Sequence, residues 1–137
     1  MGNSPASKTT ATEEACPDGT LDVSAQDGRL VLVFREAPSA PAVTITCGYN
    51  DCEMVLSAIA ETRKRRPFFT FVLRRDAVKS EDRKLYFATI DAKRGRLSWE
   101  VAAPFGLAGY RWDMRGADLM ELEGAAVKAL AQEDAKP

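Results

Sequence analysis

Short runs in which apolar and polar residues alternate, twice interrupted by a helical period, constrain this chain more than any other feature. Alternation with period two turns one side of a strand to a core and the other to solvent, and a slip of one residue reverses the two. The first pair of runs, TLDVSAQDGRLVLVF, surrounds Asp27-Gly28, a dipeptide suited to a two-residue hairpin turn. Leu30, Leu32 and Phe34 share a face of the second run. EAPSAP is a Pro-rich connection, and AVTITC reads as a third short strand. GYNDCEMVLSAIAETRKRRP then sets Cys52, Val55, Leu56 and Ile59 at i, i+3, i+4 and i+7, one face of a helix. Asn50 and Glu53 have capping-box spacing. Arg63, Lys64, Arg65 and Arg66 would complement the negative helix end, and Pro67 would stop it.

A second block follows. PFFTFVLRR reads as a strand with Phe69, Phe71 and Leu73 on one face, and AVKSED as a polar turn. RKLYFATID and RLSWEVA form strands around the tip AKRG. Leu97, Trp99 and Val101 alternate inward, which places Trp99 in the core. YRWDM is a short last strand. GADLMELEGAAVKALAQE is a helix with Leu119, Leu122, Val127 and Leu130 toward the core. The expected class is α+β: an antiparallel sheet built from two β-β-β-(β)-α blocks, with the helices packed on one sheet face. Residues 1–19 are small and polar and read as a disordered tail. Residues 20–132 form one domain of two blocks, 20–66 and 67–132, and residues 133–137 form a C-terminal tail.

Several function classes recede. The chain has no histidine, so the commonest general base, the commonest zinc ligand and every Ser-His or Cys-His pair are missing. No phosphate-binding glycine loop occurs. An enzyme is not expected, nor a cofactor or a metal. Three cysteines, Cys16, Cys47 and Cys52, make a disulfide framework unfavourable and a reducing compartment the better reading. Cys52 reads as a small apolar residue on the helix face. No apolar run reaches the roughly 18 residues of a membrane span, and there is no signal-like start. The expected place is intracellular, cytoplasmic or nuclear. Gly2 follows Met1 as in an N-myristoylation signal, but Ala6 stands where that signal has Ser or Thr.

Charge is unevenly spread. Residues 61–115 carry 14 basic against 7 acidic residues, whereas residues 1–60 carry 3 against 8 and residues 116–137 carry 2 against 5. A net charge of -1 therefore hides a basic middle, and local field rather than net charge steers a polyanion. Aromatic residues are interleaved with these cations, a combination that neutralises phosphates and stacks unpaired bases.

Within that middle, RKLYFATIDAKRGRLSWEV resembles the central hairpin of a PUR repeat, the unit of Pur-alpha-type single-strand binders. Arg83, Lys84, Tyr86, Phe87, Lys93, Gly95, Arg96 and Leu97 fall in matching order. The family's Lys-Glu-Asn turn is replaced by Asp91-Ala92-Lys93, and the first block has the non-basic tip Gln26-Asp27-Gly28. The PUR unit is four strands and a helix, commonly paired, and Whirly folds share a similar plan. The resemblance implies a non-enzymatic single-stranded DNA- or RNA-binding protein. Lys93, Arg94 and Arg96 would meet phosphates, with Arg74, Arg75, Arg83 and Lys84 as secondary contacts. Tyr86 or Phe87, whichever points away from the helices, would offer a stacking face. Single-stranded nucleic acid is then the partner, with a homodimer as a further expectation. Two alternatives stand beside it: a self-associating interaction or scaffold module, and a peripheral membrane adaptor joining a lipidated Gly2 to the RKRR patch.

Overall fold

The turn that the sequence marks most clearly sets the first sheet. Asp27 and Gly28 take positive φ, 54° and 84°, the geometry that joins two right-twisted strands with the least splay. β1 (Thr20–Gln26) and β2 (Arg29–Arg35) pair from Thr20–Arg35 to Gln26–Arg29. A computed structural model describes residues 19–35, 37–66, 69–73, 77–80, 87–102 and 110–137, with Phe87 and Tyr110 described in backbone only. Among these residues the chain continues through β3 (Val43–Cys47), α1 (Tyr49–Thr62), β4 (Phe69–Val72), β5 (Val78–Ser80), β6 (Phe87–Lys93), β7 (Arg96–Ala102), β8 (Tyr110–Met114) and α2 (Ala117–Asp134).

The architecture is α+β, but the expected single sheet is two antiparallel sheets of four strands, ordered β1-β2-β3-β5 and β4-β6-β7-β8. The segment expected to be a polar turn supplies β5, whose Val78 pairs with Ile45 of β3. The division at residue 66 therefore does not separate the sheets. Each sheet has one apolar face. In the first, Leu30, Leu32 and Phe34 stand opposite Cys47, Ile45 and Val43 across β2–β3, and all six are buried. In the second, Ala92, Leu97 and Met114 form one cross-strand row and Ile90, Trp99 and Trp112 the next. Phe34 joins the sheets. Its ring centroid lies 6.0 Å from that of Trp99 and 5.8 Å from that of Trp112. Both apolar faces thus belong to one core, to which each fully buried large side chain contributes about 1.5–3 kcal/mol. Both indole N–H groups are buried there without an acceptor among the described residues.

The helices cross between blocks. α1 follows the first three strands yet lies mainly against β4, β6 and β7, while α2 lies against β1 and β2. They also pack on each other and run antiparallel: Arg63, just past the end of α1, bonds Glu123 in the first half of α2, and Tyr49 at the start of α1 lies near Asp134 at the end of α2. α1 buries Cys52, Val55, Ala58, Ile59 and Thr62, with Leu56 partly buried beside them. Its cap differs from expectation. Gly48 is the N-cap and no side chain caps it, so Asn50 already lies inside the helix. α2 buries Leu119, Leu122, Ala126 and Ala129, and Val127 is 52% exposed. The core-facing row follows a 3-4-3 spacing that Val127 misses. α2 continues to Asp134, and the β1–β2 turn is tied to its end. Gly28 N–H donates to Gln132 Oε1 (2.9 Å), and Lys136 Nζ donates to the Asp27 carbonyl (2.9 Å). No helix among the described residues is long and apolar enough to cross a membrane.

Candidate nucleic-acid interface

The β6–β7 hairpin turns at Arg94-Gly95, between the paired residues Lys93 and Arg96. Gly95 takes φ 71°, a conformation costly for residues with a Cβ. Its N–H donates to the carbonyl of Thr62 at 2.7 Å. Thr62 is the last residue of α1, so its carbonyl is one that the helix itself leaves unpaired, and the hairpin tip satisfies it. The helix ends there. Arg63, Lys64, Arg65 and Arg66 lie beyond it in a turn and bends rather than in its last turn. One backbone hydrogen bond thus brings together two basic runs about thirty positions apart in sequence.

Between them lies a cleft of about 690 Å³. Residues 62–65 form one wall, Arg94 and Gly95 another, and Gly116, Leu119 and Met120 at the start of α2 close it. Gly116 is the N-cap of α2 and no side chain caps that end, so the positive end of the helix dipole borders the same space. The cations divide by partner. Arg63 grips Glu123 with both guanidinium nitrogens, at 3.2 and 2.9 Å. The hydrogen bond holds the Glu123 carboxyl below its usual range and raises Arg63. Lys64 pairs with Glu61. Among the described residues no carboxylate pairs with Arg65, Arg66, Lys93 or Arg94.

The expected site residues fare differently. Lys93, the cross-strand partner of Arg96, shares its sheet face and lies outside the lining, and Arg94 stands in the cleft wall. Arg96 does not line it. Its Nη1 lies 3.5 Å from Oδ2 of Asp113, a residue 3% exposed whose other oxygen accepts from Ser98 Oγ at 2.7 Å. Arg96 thereby compensates a buried carboxylate. The outer face of the second sheet also carries Asp91, held by Thr70 Oγ1 at 2.8 Å, and Glu100, paired with Arg111 at 3.7 Å. Among the described residues that face is balanced in charge. Phe87 lies in β6 opposite Ala102. Arg74, Arg75, Arg83, Lys84 and Tyr86 lie outside the described residues, as does Gly2.

The aromatic half of the expectation has less behind it. Trp99 and Trp112 are core residues, and Phe69 and Phe71 are half-buried against that core. Tyr49 is exposed, but at the far end of α1, and the carboxylates of Asp134 and Glu53 raise its phenol above the usual range. The apolar part of the cleft comes instead from Leu119 and Met120. The contribution of residues 63–66 was missed from sequence. Their charge is plain there, but the contact with residue 95 that gives them a place is not.

Other chemistry finds little support in this geometry. Cys47 and Cys52 are buried free thiols, and desolvation pushes both above the ordinary thiol range, away from the thiolate that nucleophilic attack needs. Among the described residues no cluster of His, Cys, Asp and Glu could hold a metal ion. The chain matches no protein-family model and no curated protein, so the interpretation of the cleft rests on its geometry and charge.

Proposed function

We propose that this protein is a non-enzymatic binder of single-stranded DNA or RNA that grips the phosphate backbone at the cleft between the α1 exit and the β6–β7 tip. The observation that carries the reading is the Gly95–Thr62 hydrogen bond, which makes one cationic surface of two separate basic runs. Arg65 and Arg94 supply the unpaired charge in the cleft lining, and the start of α2, where no side chain caps the helix, borders the same space. Phosphate contacts carry no base information, so sequence preference is weak. The pair of four-stranded sheets with two helices also supports the PUR-like layout. The buried free thiols accord with a reducing, intracellular setting.

Fluorescence anisotropy with labelled single-stranded DNA and RNA, and with duplexes of the same sequence, tests this across a salt series. Each neutralised phosphate of a single strand contributes about 0.7 to the log–log slope. The two unpaired cations of the lining give a slope of about -1.4, so a fourfold rise in salt weakens binding about 7-fold. Absence of saturable binding, or a slope near zero, would overturn the proposal.

A further inference from the structure

α2 has a second face that the fold leaves open. Opposite its buried row, Ala117, Met120, Gly124, Val127 and Ala131 are all exposed, at the 3-4-3-4 spacing of a helix-pairing seam. Met120 is 69% and Val127 52% exposed, and both rank among the large hydrophobic side chains that the structure leaves in solvent. Gly124 sits at the middle of this face. A Cβ built there meets nothing within 4 Å, so internal packing gives no reason for a glycine. A glycine inside a helix weakens it relative to alanine. What it offers in return is a bare backbone that another helix can approach closely.

We infer that α2 pairs antiparallel with α2 of a second copy of this chain, about a two-fold axis at Gly124. Such an axis opposes positions at equal or nearly equal distance on either side of it. Ala117 meets the partner's Ala131, and Met120, four residues before the axis, packs beside the partner's Val127, three residues after it. At about 100° per residue, Met120 and Val127 lie on one side of the seam and Glu121 and Lys128 on the other. The same axis therefore sets Glu121 against the partner's Lys128, twice. Neither residue has an ion pair within its own chain among the described residues. A parallel pairing would instead set Glu121 and Lys128 against the partner's Met120 and Val127 side, leaving both charges without an opposite partner. This charge pattern selects a second copy, in one orientation, as the occupant. Met120 lies near one end of the seam and borders the cationic cleft, so pairing leaves one cleft toward each end of the joined helices.

Sedimentation velocity of the full chain without nucleic acid, over about 1–300 μM, tests the seam independently of the proposed binding. A single helix face is a small interface, so a micromolar monomer–dimer equilibrium is expected. Val127→Glu should return the protein to monomer. Glu121→Lys should weaken the dimer about tenfold or more, and Glu121→Lys with Lys128→Glu should restore it. Gly124→Ala should raise the melting temperature of the monomer while weakening association, opposite signs that a purely internal role for this position would not produce. A monomer throughout the range, or a dimer that Val127→Glu and Glu121→Lys leave unchanged, would overturn the inference.

Discussion

Replacing Phe34 with alanine should lower the urea midpoint of unfolding by about 2–3 M. The side chain is fully buried and its ring contacts Trp99 and Trp112 of the other sheet. Truncating a buried phenylalanine costs about 3–5 kcal/mol, through lost transfer energy and the cavity left behind. The two ring contacts, at about 0.5–1.5 kcal/mol each, are part of that figure. Against a total stability of about 5–15 kcal/mol, one substitution removes about a fifth or more. With an m-value near 1.5 kcal/mol/M, the loss becomes the stated shift. Both tryptophans remain, so their fluorescence reports the transition. Phe34→Leu keeps most of the volume and should lose about 1–2 kcal/mol, which covers the case in which the alanine variant does not fold. A midpoint change below about 0.5 M for Phe34→Ala, at unchanged m, would show that the two sheets do not meet at this ring.

Three further outcomes follow. Arg96→Leu leaves Asp113 buried with Ser98 as its remaining side-chain partner among the described residues, and should cost about 1–3 kcal/mol in urea titration. The same variant should change oligonucleotide affinity by less than about threefold in anisotropy, because its charge is committed to the sheet. Glu123→Gln frees Arg63 beside the cleft and should tighten binding, with about 0.7 added to the salt slope. In the wild type Arg63 depresses the Glu123 pKa, so the pair's contribution is complete above the ordinary glutamate value and fades as pH falls through the depressed one. Both groups are well exposed and screened, so thermal melts should show at most about 1 kcal/mol, absent in Glu123→Gln. Gly28→Ala must adopt φ 84° and would bring its Cβ to 2.5 Å from Glu133 Oε1. It should lower stability by about 1–2 kcal/mol, measured in the same way.

Local chemistry was easier to read from the sequence than long-range pairing. Asp27-Gly28 announced its hairpin because few residues tolerate that turn, and the alternation of Leu97, Trp99 and Val101 identified the buried side of β7. Alternation says which face is buried, not what covers it, so one sheet was expected where Phe34 bridges two. Val78, Lys79 and Ser80 are too few to carry a period, and β3, which makes them a strand, lies far away in sequence. α2 carries an exposed stripe opposite its buried one, which drew Val127 into the expected core. At the site, the basic tip was visible as composition. Its junction with residues 63–66 depends on a hydrogen bond between positions 95 and 62, and the commitment of Arg96 depends on Asp113 across a strand pair. No local pattern encodes either.

Backbone amide shifts of the full-length protein, followed by NMR as a single-stranded oligonucleotide is added at low salt, bear most directly on where this protein holds its ligand. The perturbed amides should cluster at residues 62–66, 93–95 and 116–120, the three segments around the cleft, and should return toward their free positions as salt is raised. Perturbations confined to the outer strands of either sheet, or none at all at saturating oligonucleotide, would contradict the account.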